Sequence, residues 1–251
     1  MGIVETVGII TKEVRYGEAD RILTILSKDF GRISAIARRV RSNKSGLLAG
    51  TQLFCYNKFI LFQGREKSLY QINEVQLLES FQPLRDSLTD MAYASYFCEI
   101  ANFFTSENDP DPALLSLLLN TLYLLANHKK AAPQLKAVFL FRVLAVAGFT
   151  PELTGCHSCG DPAPPAFLSL NEGVGLCAAC GTGRKQTAAL SDGLVSAIRY
   201  ICSAEDNRLY AFRLSDEALG YLGELGDRYL AVQADHTFRT LDYLKQVLAL
   251  G

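Results

Sequence analysis

Apolar residues recur at every second position, or in short runs, through the first 80 residues of the chain. Such segments, rich in Ile, Val, Leu, Phe and Tyr and separated by turn sequences, are typical of β-strands. Strict alternation in the fourth segment predicts that Cys55, Asn57 and Phe59 share one face of a sheet. The predicted strands are Ile3–Val14, Arg21–Leu26, Arg32–Arg38, Leu53–Phe62 and Leu69–Leu78.

After Phe81-Gln82-Pro83 the apolar period changes to that of an amphipathic helix. Asp111 followed by Pro112 is a cap and first-turn signal for an apolar helix. This apolar run, Ala113–Ala126, is about four turns long and falls short of the ~20 residues of a bilayer span, so it is interpreted as a buried helix. The predicted helices cover Leu84–Phe104, Ala113–Ala126, Gln134–Ala147, a segment after Ser191, Asp216–Val232 and Thr237–Leu248.

Four of the seven cysteines lie within 25 residues, as two CxxC pairs. The pairs are separated by 17 residues, the spacing of a four-thiolate zinc site. Gly160 and Gly181 directly follow the two pairs and allow the tight turns that such sites require. Phe167–Leu170, between the pairs, predicts a short strand, and the five residues after it a hairpin turn. We therefore predict a zinc ribbon with one structural zinc ion, whose ligands are Cys156, Cys159, Cys177 and Cys180.

The sequence alone leaves other uses of these cysteines open. A redox switch with two disulfides would need the same four residues. A catalytic zinc would keep one coordination position for water, whereas four thiolates close the tetrahedron. His157 lies inside the first CxxC and is interpreted as a surface histidine, because its ring would point away from the shared centre.

The two halves of the pattern define the expected fold. We predict an α+β protein in which an N-terminal five-stranded OB-type β-barrel precedes an α-helical domain with the inserted four-cysteine zinc ribbon. The expected domains are residues 1–80 and 81–251, with the ribbon at about residues 152–184. An SH3-like barrel has a similar strand count and fits the same spacing.

Composition and charge add to this picture. The 251 residues carry a net charge of −1, and 49% are hydrophobic, which is enough for a sizeable core and excludes wholesale disorder. Residues 1–80 carry a net charge of +4, and residues 81–251 a net charge of −5. Glu5, Lys12 and Glu13 interrupt any signal-peptide pattern, so we expect a cytoplasmic protein.

The strongest local charge bias lies between Lys28 and Lys44, where six cations accompany one anion. A cationic surface without interspersed acids favours phosphate binding over an ordinary solvated face. Four aromatic residues are candidate stacking partners, although each could instead fill the core: Tyr16, Phe30, Tyr56 and Phe62. The predicted DNA contacts are Lys28, Arg32, Arg38, Arg39, Arg41, Lys44, Arg65 and Lys67.

No enzyme motif is apparent in the sequence. There is no GxxxxGK[ST] phosphate loop, no GxSxG elbow and no HExxH, and each of the three histidines is isolated from obvious catalytic partners. We therefore expect a binding protein and not an enzyme.

Two blocks of the chain resemble a known family, the bacterial recombination mediator RecO. One is the amino-terminal "VRYGEADRILTILSKDFGRISAIARRVRSNKS", and the other is "GFTPELTGCHSCG" followed by "GVGLCAACG" with the two CxxC pairs. The similarity spans essentially the whole length of the chain.

This resemblance implies a DNA repair and recombination protein of the RecF pathway, nucleoid-associated in the cytoplasm. Such proteins bind single- and double-stranded DNA, anneal complementary strands and help load RecA on coated single strands, without nucleotide or covalent chemistry. The implied partners are RecR, the acidic C-terminal tail of the single-stranded-DNA-binding protein and, indirectly, RecA. Candidate cations for the tail are Lys129, Lys130, Lys136 and Arg142. The alternative is a zinc-ribbon scaffold whose main role is to assemble a protein complex, and an unrecognised nuclease is a more distant one.

Overall fold

Five strands form the N-terminal part of the protein in the computed structural model, which describes residues 2–40, 47–64 and 69–250. The strands are β1 (Gly2–Tyr16), β2 (Asp20–Ser27), β3 (Gly31–Ala37), β4 (Tyr56–Gln63) and β5 (Tyr70–Glu79). All five predicted strands are present, with ends that shift by at most three residues.

The strands pair in the order β1-β2-β3-β5-β4, and the pairing returns from β4 to β1 in a barrel. β3 and β5 run parallel and pair only at Ala35↔Tyr70 and Ile36↔Gln71, whereas the other pairs are antiparallel. Side chains that point inward form a core cluster that includes Ile10, Leu23, Ile25, Ile33, Phe59 and Leu61. The alternation predicted for the fourth strand is confirmed within β4, because Asn57 and Phe59 are buried and Lys58 is not. Phe54 and Cys55 precede β4 and are both buried.

Eight helices and three further strands follow in the described residues. The helices are α1 (Pro83–Asp86), α2 (Leu88–Phe104), α3 (Pro112–Ala126), α4 (Ala132–Val146), α5 (Ala178–Gly181), α6 (Asp192–Ser203), α7 (Asp216–Gln233) and α8 (Arg239–Leu248). The strands are β6 (Phe167–Ser169), β7 (Val174–Leu176) and β8 (Thr187–Ala189). None of these helices is both long and apolar enough to cross a membrane.

The chain divides into two compact units, Met1–Lys129 with Arg239–Gly251, and Lys130–Phe238. In the first unit, α2 contacts β1, α3 and α8. The Thr11 hydroxyl of β1 donates to Oδ1 of Asn102 in α2 over 2.8 Å. The Glu99 carboxylate of α2 accepts the backbone N–H of Thr240 at 2.9 Å, which caps the first turn of α8. Both the barrel and the C-terminal helix α8 therefore pack against α2.

In the second unit, α4 contacts both α6 and α7. The Lys136 ammonium of α4 and the Asp227 carboxylate of α7 form an ion pair of 2.6 Å between two nearly buried side chains. Removal of one partner would leave an uncompensated charge, so the pair constrains how the two helices meet.

The structure confirms a mixed α+β protein with an N-terminal five-stranded sheet followed by helices. The prediction of one continuous helix from Leu84 to Phe104 was wrong. Ser87 is extended (φ −115°, ψ 123°), and its side chain caps the N–H of Asp90, so α1 and α2 are separate. The sequence analysis also missed β8, which is only three residues long. The expected domains 1–80 and 81–251 stay a prediction.

Candidate metal centre and nucleic-acid interface

The four cysteines predicted as metal ligands lie together in the second unit. Their Sγ atoms all lie within 4.8 Å of one another, and those of Cys159 and Cys177 are 3.7 Å apart. Cys156 is buried and Cys159 is exposed, so the cluster sits at the surface of the unit. The structure therefore gathers two pairs that are 17 residues apart in sequence.

Backbone hydrogen bonds shape each CxxC turn. In the first turn, the Cys156 N–H donates to the Asp161 carbonyl at 2.8 Å, and the Gly160 N–H donates to the Cys156 carbonyl at 2.9 Å. Gly160 has φ +75°, a conformation that favours glycine, as the sequence analysis expected.

The second CxxC turn starts helix α5. The Gly181 N–H donates to the Cys177 carbonyl at 2.9 Å. A Cβ on Gly181 would lie 2.5 Å from the ring of Phe167, so this position needs glycine because of a close approach and not because of a turn.

A small antiparallel sheet, in the order β7-β6-β8, brings the two turns together. The backbone carbonyl of Glu152, just before the first turn, accepts the Gly175 N–H of β7 at 2.8 Å. The His157 N–H donates to the Gly175 carbonyl at 2.9 Å. Since β7 leads directly into Cys177, these bonds hold the first turn beside the second. His157 itself is exposed and is not among the clustered side chains.

The geometry and chemistry of the cluster fit a tetrahedral thiophilic metal. Zn–S bonds of about 2.3 Å give sulfur–sulfur distances of about 3.8 Å in a tetrahedron. The Sγ atoms of Cys159 and Cys177 are 3.7 Å apart, close to that distance. Backbone N–H groups of Cys177 and Cys159 lower the pKa of Cys156 to about 6. Hydrogen bonding with the Cys177 and Cys159 thiols raises the pKa of Cys180 to about 12. Four thiolates this close therefore need a cation to compensate their charge, and the cluster could hold one metal ion.

The predicted DNA contacts are distributed differently. Four of them lie outside the described residues, namely Arg41, Lys44, Arg65 and Lys67. Of the remaining four, Lys28 is exposed in the turn between β2 and β3, and Arg38 and Arg39 are exposed directly after β3. Lys28 and Arg38 therefore occupy opposite ends of β3, roughly 20 Å apart at the usual rise of a strand.

Arg32 has an internal partner. Its Nη1 donates to the carbonyl oxygen of Asn102, at the end of α2, over 2.6 Å, and the side chain is half-buried. This guanidinium connects the barrel to α2, which leaves fewer of its N–H groups for phosphate.

Arg38 and Arg39 lie beside the tip of the β1–β2 hairpin. The Arg39 N–H donates to Oδ1 of Asp20 at 2.7 Å, and Asp20 pairs with Tyr16 across the hairpin. In the next row Arg15 faces Arg21, whose Nη1 contacts the Glu13 carboxylate at 3.1 Å. We call this end of the hairpin, with Arg15, Tyr16, Arg21, Arg38 and Arg39, the hairpin end. It carries residues on both faces of the sheet, since Arg15 and Tyr16 are neighbours in a strand and point to opposite sides.

The sequence analysis missed Lys12, Arg15 and Arg21 as parts of a cationic surface. Every residue from Lys12 to Glu18 is exposed, although β1 continues to Tyr16, so the hairpin extends beyond the barrel core. The Tyr16 side chain is 55% exposed and Val14 is 49% exposed. The signal available in the sequence was the group of charged residues Lys12, Glu13 and Arg15 at the end of the first predicted strand.

The other aromatic candidates occupy mixed positions. Phe30 packs against the barrel core, Tyr56 is half-buried, and Phe62 is 38% exposed. Tyr16 is therefore the most exposed of the four candidate stacking residues.

Three of the four cations considered for the acidic tail already have partners within the second unit. The exposed Lys130 ammonium donates to the Tyr210 carbonyl at 3.2 Å. Lys136 pairs with Asp227, and Arg142 contacts the Asp206 carboxylate at 3.0 Å and the Cys202 carbonyl at 3.0 Å. Both therefore stabilise the helices around them.

Comparison with known proteins covers nearly the whole chain. The family model "Recombination protein O N terminal" matches residues 1–81, and "Recombination protein O C terminal" matches residues 85–242. These two matches meet between the barrel and the helices.

Several similar proteins carry the name "DNA repair protein RecO". The one from Acetivibrio thermocellus is 37% identical over 98% of this chain and 97% of its own length. That from Alkaliphilus metalliredigens is 29% identical over 98% of this chain and 100% of its own. That from Symbiobacterium thermophilum is 28% identical over 97% of each chain. On the strength of both family matches and these full-length similarities, the chain belongs to the RecO family of DNA repair proteins.

Proposed function

We propose that the protein is a recombination mediator of the RecF pathway that binds single- and double-stranded DNA and anneals complementary strands. In this role it helps load RecA on single strands coated with single-stranded-DNA-binding protein. The proposal rests on membership of the family, and the observation that carries the DNA contact is the exposed, cation-rich hairpin end.

The N-terminal barrel is of the OB type in this proposal, with DNA crossing its outer surface near β2 and β3. Lys12 and Tyr16 lie on the face of the sheet opposite to the core-facing Leu23. Among the described residues, no ion pair involves Arg15, Arg38 or Arg39, so their charges are available to phosphates. Base stacking on Tyr16 would add binding that single strands can use and duplexes cannot.

Annealing by such a surface needs no covalent chemistry. Two strands repel each other through their phosphates, and bound cations replace the released counterions and lower that barrier. The cations of the hairpin end are exposed, and in this proposal they bind phosphates while the bases remain accessible to a complementary strand. The protein is accordingly a non-enzymatic binding protein in this proposal.

The cysteine cluster would hold one zinc ion with a structural role. When bound, zinc supplies charge compensation for four thiolates and a rigid tetrahedral centre. Cys156 and Cys159 would anchor the first turn, and Cys177 and Cys180 the second. Because all four positions are taken by sulfur, the residues around the site support a closed structural site and not one that activates water.

RecR and the C-terminal tail of the single-stranded-DNA-binding protein are the proposed direct partners, with RecA as an indirect one. This part of the proposal follows from the family alone. Lys129 and Lys130 remain exposed candidates for the tail.

The salt dependence of DNA binding tests the proposal. The isolated protein should retard a labelled single strand, and its affinity should fall with log salt by about 0.7 per phosphate contact. In Arg38→Ala/Arg39→Ala the slope should decrease by about 1.4, and the annealing rate should fall with it. Fluorescence anisotropy at 50–200 mM salt and a two-strand annealing assay measure both.

Lys129→Ala/Lys130→Ala is the charge-matched control. It removes two exposed cations that do not belong to the hairpin end and should leave the slope unchanged. An equal decrease in both variants would mean that net charge, and not the hairpin end, determines binding. If the wild-type protein retards no DNA at moderate salt, the scaffold alternative is favoured.

A further inference from the structure

A cavity of about 320 Å³ lies between β3 and β5, next to the point where their pairing ends. The two strands pair at Ala35 and Ile36 of β3. Nearer the start of β3, the Arg32 N–H instead donates to the Ser106 carbonyl at 3.1 Å, in the loop after α2. Ile33 and Ser34 lie between these two contacts and line the cavity.

The loop at residues 105–109 forms one wall. The Asn108 N–H donates to the Phe30 carbonyl at 3.0 Å, and Glu107 is bridged to Gly31. Within the loop, Ser106 and Asp109 are bridged to each other. The wall is therefore attached to the β2–β3 turn by backbone hydrogen bonds at several points, and it places Glu107 at the cavity.

The remaining lining combines aromatic rings with polar groups. The Phe30 and Tyr70 rings are 6.3 Å apart between centroids, with an interplanar angle of 35°. Gln63 donates through Nε2 to the Tyr70 hydroxyl at 3.1 Å. Burial raises the pKa of Tyr70, and the nearby Glu107 carboxylate raises it further, so the phenol stays protonated at neutral pH.

Charge selects among the ligands that such a cavity could take. No Lys or Arg is among the described lining residues, and Glu107 repels phosphate. The volume of the cavity is at the lower end of the range for small-molecule sites, which suits a flat heterocycle. Aromatic side chains and a carboxylate match a nucleobase, because carboxylates accept hydrogen bonds from exocyclic amino groups such as N4 of cytosine.

We propose that this cavity receives one unstacked base of bound single-stranded DNA and that Glu107 favours bases with an exocyclic amino group. This inference rests on the proposed DNA-binding function and adds base preference to it. The phosphates remain on cationic surfaces elsewhere, while the inserted base contacts the aromatic and polar lining. Uracil presents a carbonyl oxygen where cytosine presents its amino group, and that oxygen would face the carboxylate unfavourably.

Binding of oligo-deoxycytidine and oligo-deoxyuridine of equal length to the full-length protein tests this inference. The two differ at the position that Glu107 would contact, and both are pyrimidines. We expect about tenfold tighter binding of oligo-deoxycytidine at pH 7.5, the discrimination typical of one good contact to a base edge. Glu107→Gln should reduce this ratio to about one, since an amide can also donate to the uracil oxygen, and should leave the salt slope unchanged.

Asp109→Asn is the matched control, because it removes one negative charge from the same loop at a residue that does not line the cavity. It should preserve the tenfold ratio. Equal binding of both oligonucleotides by the wild type, or a ratio that Glu107→Gln leaves intact, would overturn the inference while DNA binding itself stands. Failure to bind either oligonucleotide would instead overturn the proposed function, and this inference with it.

Discussion

The cysteine cluster and the cations of the barrel are arranged over different distances. The cluster holds four Sγ atoms within 4.8 Å of one another. The described cations of the basic segment, residues 28–44, extend along β3 from Lys28 to Arg39, over roughly 20 Å. A metal ion requires all its ligands at one point, whereas a nucleic-acid backbone is itself extended and can meet cations along its length.

The two regions also differ in what supports them. Each strand of the ribbon sheet has three residues, so much of the order in this segment depends on the cysteine centre. The hairpin is attached to a barrel with its own core of buried Ile, Leu and Phe side chains. Changes in the ribbon should therefore affect folding, and changes at the hairpin end should affect binding alone.

The largest effect is expected for Cys156→Ser. The variant should lose its metal ion and at least about 3 kcal/mol of stability, because a structural zinc site contributes folding free energy directly. Metal analysis and thermal unfolding check this. Cys202→Ser, outside the cluster, should keep one zinc ion per chain. A Cys156→Ser variant as stable as the wild type would show that the cysteine cluster does not contribute to folding stability.

A smaller effect is expected for Tyr16→Ala at the hairpin end. Loss of one stacking platform should weaken single-strand binding by about 1–3 kcal/mol, with little change in duplex binding or in unfolding temperature. Anisotropy titrations with both forms of DNA measure this. Tyr243→Ala removes a partly exposed tyrosine of α8 and serves as the control. Equal losses on both forms of DNA would contradict a stacking role.

The smallest effect is expected for Lys28→Ala. Because Lys28 lies at the far end of β3 from the hairpin end and salt largely screens charges beyond a Debye length of about 10 Å, its loss should change single-strand affinity less than Arg38→Ala does. Parallel salt titrations with Arg38→Ala make the comparison. An effect as large as that of Arg38→Ala would indicate that DNA also contacts Lys28, as the sequence predicted.

Local pattern explains which elements could be predicted. Alternation located the five strands, and caps such as Asp111, which accepts the Leu114 N–H at 2.9 Å, located helix starts. The break at Ser87 was missed because a single cap inside a helical pattern is a weak signal. Glu99 was not predicted to cap α8, since its partners Arg239 and Thr240 lie about 140 residues later in the chain.

For the candidate sites, the sequence by itself predicted which four cysteines come together, because each CxxC pair is a local turn and a shared ion would leave the two pairs one arrangement. Only the tertiary structure decided whether each cation is available to bind phosphate. Arg32 and Arg38 belong to the same basic segment, yet α2 supplies a carbonyl to Arg32, whereas Arg38 remains exposed beside the hairpin tip. Charge along a chain shows which residues can bind phosphate, but availability depends on neighbours that are distant in sequence.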